Sequence, residues 1–225
     1  MTATIDETRW TRKPVPAPPT VDEATQALAA AEAKLAAWTA DAADREHAAE
    51  VAAAELAEAE AVAGDEAFET PTNLAELGED LIRRRTHLEV SHRAVTAARA
   101  RVADAQRGLL LARAEDARAR ARQLRDIASV RAARTAALLD ELNGFERTTY
   151  TVAPWSPMVG GAPGAPMPLT QQTRNRADWL DGQADELDRF AEDGSAEQVA
   201  AAVARPAVPA DAVEADAFGA STTSS

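Results

Sequence analysis

Apolar residues recur along this chain every seven positions. Leu28, Leu35, Ala42, Ala49, Leu56 and Ala63 hold that spacing, and Ala31, Trp38, Ala52 and Ala59 form a second row offset by three, interrupted at Arg45. A seven-residue repeat places its members on one face of a helix and marks a coiled-coil seam. Thr20 and Glu23 stand where a capping box would start the element, each satisfying an orphan N–H of the first turn. No Gly or Pro follows until Gly64, a natural C-cap. The pattern predicts a helix from Val21 to Ala63 whose seam is mostly alanine. Such a seam allows close approach but buries little area per residue, so it requires a long partner.

Gly64 to Thr72 carries turn residues, with Phe68 placed to cap the end of a hairpin. Asn73 and Glu76 repeat the capping signature, and a second helix is predicted from Leu74 to Leu142, ending at Asn143-Gly144. Leu74, Leu81, Leu88, Val95, Val102 and Leu109 keep the seven-residue spacing over five intervals, the strongest periodic signal in the chain. Beyond Gly108 the row slips by one, to Leu110, Ala117, Leu124 and Leu138. That slip predicts altered supercoiling, with Gly108 as a kink or hinge.

Two long helices joined by a short loop favour an antiparallel hairpin. Charge agrees: the first helix has ten acidic residues against Lys34 and Arg45, and the second has fourteen arginines against ten acidic residues. At 1.5 Å per residue the helices are about 65 Å and about 105 Å long, so residues from about Arg118 to Leu142 overhang. The overhang carries Leu124, Ile127, Leu138, Leu139 and Leu142, and something must cover it. The candidates are the acidic C-terminal helix of the same chain or a second copy.

Around this hairpin the sequence predicts a Pro-rich extended arm (1–19) with Trp10 available for docking, and a Pro/Gly-rich linker (145–169) carrying Trp155, Met158 and Met167. A further helical segment (170–204) has Trp179, Leu180, Leu187, Phe190 and Ala191 as its apolar face and a second capping box at Ser195 and Gln198. A disordered acidic and Ser/Thr-rich tail closes the chain (205–225). The fold class is therefore all-α: an elongated antiparallel coiled-coil hairpin occupying 20–144, a small C-terminal helical segment and disordered termini.

Composition sharpens this picture. Ala, Glu, Lys, Leu and Arg make up about half of the 225 residues, the balance of long helices, while aromatics are 4% and the net charge is -13. The absence of cysteine removes disulfides, thiolate metal sites and thiol catalysis. His87 and His92, five apart on a helix, cannot chelate one metal, and no G-x-S-x-G elbow occurs. Gly160 to Gly164 lacks the Lys-Ser/Thr ending of a phosphate loop, and Asp178 to Glu186 lacks the order of a calcium loop. No enzyme, cofactor or metal is expected. The N-terminus lacks the apolar stretch of a secretory signal, and no window of about 20 apolar residues occurs. A cytoplasmic or virion-associated protein without a membrane span is the expectation.

One charged feature stands out. Arg118, Arg122 and Arg125 fall at i, i+4 and i+7, a basic stripe that could neutralise phosphates or pair with the acidic residues of 170–225, which carry net -7. Interleaved Glu115, Asp116 and Asp126 favour pairing within or between chains over nucleic acid. The expected function is a non-enzymatic coiled-coil assembly or scaffold protein working through protein contacts and self-association. The plan resembles that of phage scaffolding and virion-assembly proteins in architecture, without a shared motif. The alternatives are a monomeric adaptor whose C-terminal helix masks the overhang, and a nucleic-acid accessory protein.

Overall fold

The computed structural model describes residues 18–65, 71–146, 149–151 and 167–206. They form four helices: α1 (Val21–Asp65), α2 (Pro71–Glu146), α3 (Leu169–Asp193) and α4 (Ala196–Ala204). The fold is all-α, and α1 and α2 pack as the antiparallel hairpin. The expected arm with Trp10, the loop residue Phe68, Trp155 and most of the linker and tail lie outside the described residues.

α1 begins as its capping box dictates. The Thr20 backbone N–H donates to Glu23 at 2.8 Å, and the Glu23 N–H donates to the Thr20 hydroxyl. α2 starts at Pro71, two residues before the expected Asn73 cap, because proline's fixed φ and missing N–H suit the first helical turn. Its other end runs past Gly144 to Glu146, where Asn143 is bonded to both backbone groups of Tyr150 as the chain leaves the helix. α3 stops before Gly194, and the Ser195–Gln198 capping box starts α4 as the sequence predicts.

The hairpin seam follows the heptads. Leu28, Ala42, Ala49 and Ala52 of α1 and Leu81, Val95 and Leu109 of α2 are buried, with Leu35, Leu56, Leu88 and Val102 half-buried. Trp38 is the exception in the α1 rows: it lies at the seam's edge and is largely exposed, its indole being too wide for an alanine-spaced interface.

α2 is continuous through Gly108. The one-residue slip beside it instead marks a change of partner. Leu109 clusters with Ala24 and Leu28 of α1, whereas Leu110 clusters with Ala191 of α3 and with Val199 and Ala202 of α4. The α1-facing and α3-facing rows of α2 lie about a third of a turn apart, so α2 carries two seams on different faces. A Cβ added at Gly108 meets nothing within 4 Å. Gly108→Ala should therefore stabilise the fold by about 0.5–1 kcal/mol, read as a rise of a few degrees in Tm.

Candidate functional site

The overhang of α2 is covered as far as Arg131 by the chain's own C-terminal helices. Leu110, Ala114, Ala117, Ala121, Leu124 and Ala128 alternate steps of four and three along α2. Thr173, Ala177, Leu180, Ala184, half-buried Leu187 and Ala191 do the same along α3. The rows meet antiparallel, with Leu124 and Leu180 both fully buried in one cluster. Burying two leucines contributes about 1.5–3 kcal/mol each, and the alanines add close backbone approach. α4 seals the junction where α1 begins and α3 ends: Val199 and Ala202 pack on Leu110, and Val203 touches both neighbouring clusters.

The basic stripe runs along one edge of this seam. Arg118 bonds Asp185 at 3.0 Å and also Asp188, with Glu115 at 3.4 Å on its own helix. Arg125 bonds Asp178 at 2.9 Å and also Asp181. The four aspartates fall at i, i+3, i+7 and i+10, which places them along one flank of α3. The hydrogen bonds that Arg118 donates to Asp188 and then to Asp185 hold its guanidinium's pKa up, and those to Asp178 and then Asp181 do the same for Arg125. Exposed pairs of this kind contribute under about 1 kcal/mol each. The leucine seam therefore supplies the stability and the ion pairs set the register. Arg122, between the two, is exposed and lines a groove of about 610 Å³ with Asp22, Gln183 and Arg205.

Two further arginines hold opposite ends of the C-terminal helices. Arg113 Nη1 donates to the carbonyl oxygens of Val203 at 2.9 Å and Arg205 at 3.2 Å, capping the C-terminal end of α4. Burial lowers its pKa. Arg131 reaches the Thr173 hydroxyl at 3.1 Å near the start of α3. Neither contact is visible in the sequence, because neither the carbonyl end of α4 nor the alanine-and-threonine row of α3 stands out by hydrophobicity.

Two predicted positions lie outside the packed seams. Trp179 is 49% exposed, off the packed face of α3, and lies 5.8 Å from the Arg176 guanidinium. The packed face consists of small residues, so the ring, next in sequence to buried Leu180, turns outward. Leu138 is 57% exposed, because α3 starts opposite the turn of α2 that precedes it. Phe190 does pack, against the Leu110 cluster, with the Arg205 guanidinium 5.7 Å from its ring.

Within the hairpin, buried Ser91 donates to Asp41 at 2.7 Å, and Arg45 bonds the same carboxylate at 2.8 Å. The hydrogen bond from Arg45, then that from Ser91, lowers the Asp41 pKa below 3.8. Thr20's backbone N–H, then its hydroxyl, lowers that of Glu23 below 4.5. A depressed carboxylate stabilises the fold fully above its ordinary pKa, and that contribution drains as pH falls through the folded value. Tm should accordingly fall as the pH drops below about 5, and Asp41→Asn should make that fall smaller.

Among the described residues, no group of three or more His, Cys, Asp or Glu side chains could hold a metal ion, and no helix is long and apolar enough to cross a membrane. Comparison of the chain with protein-family models, with curated proteins and with solved structures finds no match.

Proposed function

We propose that this chain is a non-enzymatic coiled-coil protein that acts through protein contacts, in the form of an adaptor whose arginine-rich overhang is masked by its own C-terminal helices. The observation that carries this reading is the two-edged closure of α3 on α2: a leucine–alanine seam and, beside it, Arg118 and Arg125 engaged by four aspartates. Masking in cis covers the overhang as far as Arg131 without a second copy, which supports the adaptor over the obligate oligomeric scaffold. It also weighs against nucleic acid, since two of the three stripe arginines already face carboxylates. The setting we infer is the cytoplasm or a virion.

Opening α3 should expose the apolar row from Leu110 to Ala128 and promote association. Asp178, Asp181, Asp185 and Asp188 changed together to Arg would set four cations against Arg118 and Arg125. Light scattering on a sizing column should then show mass rising with concentration, and Arg118→Asp with Arg125→Asp in the same background should restore the parent behaviour. Unchanged hydrodynamics in the four-residue variant would reject the masking role.

A further inference from the structure

α3 and α4 form one removable unit. α3 packs on α2 and α4, and α4 packs on α2 and α3, with Val203 reaching the cluster that α1 shares with α2. The two helices are braced to each other: Arg205 bonds Glu186 at 3.1 Å and lies 5.7 Å from the Phe190 ring, and only Gly194 and Ser195 separate them. What seats the unit is presented chiefly by α2, through the leucine–alanine seam and through Arg113, Arg118, Arg125 and Arg131. A single connector ties the unit to that seat. α2 ends at Glu146 and α3 begins at Leu169, opposite about Thr135. The ends to be joined are therefore about 16 Å apart along the axes and about 10 Å across. The intervening residues, 147–168, reach up to about 70 Å when extended. That is several times what closure in cis requires, so the connector's length does not confine α3 to its own α2.

The helix that the α2 seam accepts is defined by α3. Ala177 and Ala184 are fully buried where the backbones approach, and Leu180 and Leu187 fill the wider positions. Asp178, Asp181, Asp185 and Asp188 match Arg118 and Arg125. A second copy brings that same helix unchanged. Exchange between copies then remakes every contact it breaks, so the strength of the seam cancels. The balance is set by chain concentration against the effective concentration of the tethered unit, which is on the order of millimolar. The net charge of -13 on each copy opposes approach and favours closure in cis at micromolar concentrations.

We propose that α3 and α4 exchange as a unit between copies, the α2 overhang of one chain taking the C-terminal helices of another. Closure in cis dominates in dilute solution, and exchange takes over where copies are held at local concentrations approaching millimolar. This rests on the reading of α3 as the cover of α2. It makes the masked adaptor and the self-associated scaffold two states of one chain.

The test mixes two full-length variants. One carries Arg118→Asp with Arg125→Asp; the other carries Asp178→Arg, Asp181→Arg, Asp185→Arg and Asp188→Arg. Each opposes like charges in cis, yet the α2 of each matches the α3 of the other. Light scattering of the equimolar mixture should show a mixed complex of at least twice the 23.8 kDa chain. Amide exchange through 169–204 should slow about tenfold or more relative to either variant alone, because the cover is restored in trans. No mixed complex, or one in which 169–204 stays as open as in the separate variants, would overturn the proposal. A second measurement uses the parent charges. Chains spin-labelled at Gln123→Cys are mixed with chains labelled at Gly182→Cys, both exposed positions on the facing helices. A distance of about 20–30 Å between chains should be present at about 2 mM and absent at about 20 μM. Its absence at the higher concentration would equally overturn exchange. If the four-arginine variant alone behaves as the parent does, masking fails; if both variants open and the mixture makes no complex, exchange alone fails.

Discussion

Replacing Leu124 by Asp should detach α3 and α4 from α2 while leaving the α1–α2 hairpin folded. Leu124 is fully buried against Leu180 in a cluster otherwise made of alanines, with Ile127 and Leu187 beside it. A carboxylate there has no described cationic partner within the cluster, and burying it unpaired costs several kcal/mol. The surrounding ion pairs cannot offset that, because exposed pairs contribute under about 1 kcal/mol each. Amide exchange should quicken through 169–204 and at the α2 turns those helices cover, whereas the segment around Ser91 and Asp41 should keep its protection. Leu124→Ala should give a weaker form of the same pattern, costing about 2–5 kcal/mol. Unchanged exchange in α3 would mean that the seam does not hold it.

Val95→Asp should damage the other half of the molecule. Val95 is buried in the α1-facing row of α2, one turn from buried Ser91 and its bond to half-buried Asp41, and a charge there faces an interface whose other groups are mostly alanine. A loss of about 3–4 kcal/mol is expected, lowering Tm by about 10 °C for a chain of this size. Thr96→Asp, on the adjacent exposed position, should change stability by under about 0.5 kcal/mol. Equal effects from the two would show that α1 packs on a different face.

The two predictions address two seams, and only one of them was fully legible in the sequence. The leucine row from Leu74 to Leu109 announces itself because its side chains are large and evenly spaced. Both capping boxes were readable for a similar reason, since Thr20–Glu23 and Ser195–Gln198 are local chemistry that needs no tertiary context. The α3 seam was legible only in part, through Leu180, Leu187, Phe190 and Ala191. Its packed positions are Thr173, Ala177, Leu180, Ala184 and Ala191, and in an alanine-rich chain small residues carry no contrast. Trp179 drew attention by size and turned out to face solvent. The slip between Leu109 and Leu110 was visible as a pattern, yet a single helix cannot say whether a slip bends it or changes its partner. The second row of α2, Arg84, Ser91, Ala98, Ala105 and Ala112, was likewise masked by its polar members. Ser91 is buried because Asp41 satisfies its hydroxyl from across the interface.

For the candidate site, the sequence supplied the charges but not their pairing. The arginine stripe and the acidic C-terminal segment could each be read from composition. Their register could not, because it depends on where α3 begins relative to the end of α2. That offset brings Arg118 and Arg125 to the four aspartates, and it leaves Leu138, Leu142 and Phe145 uncovered.

The closure of α3 on its own α2 is the central claim, and a distance within one chain tests it most directly. The protein has no cysteine, so Gln123→Cys and Gly182→Cys, both at exposed positions on the facing helices, give a clean pair for spin labels. Pulsed dipolar spectroscopy should be run with the doubly labelled chain diluted in an excess of unlabelled chain. The account predicts one narrow distance of about 20–30 Å, set by two packed helices and the label arms, and unchanged by dilution. A broad distribution, or a short distance that disappears on dilution, would show that α3 lies free or on another copy, and would contradict it.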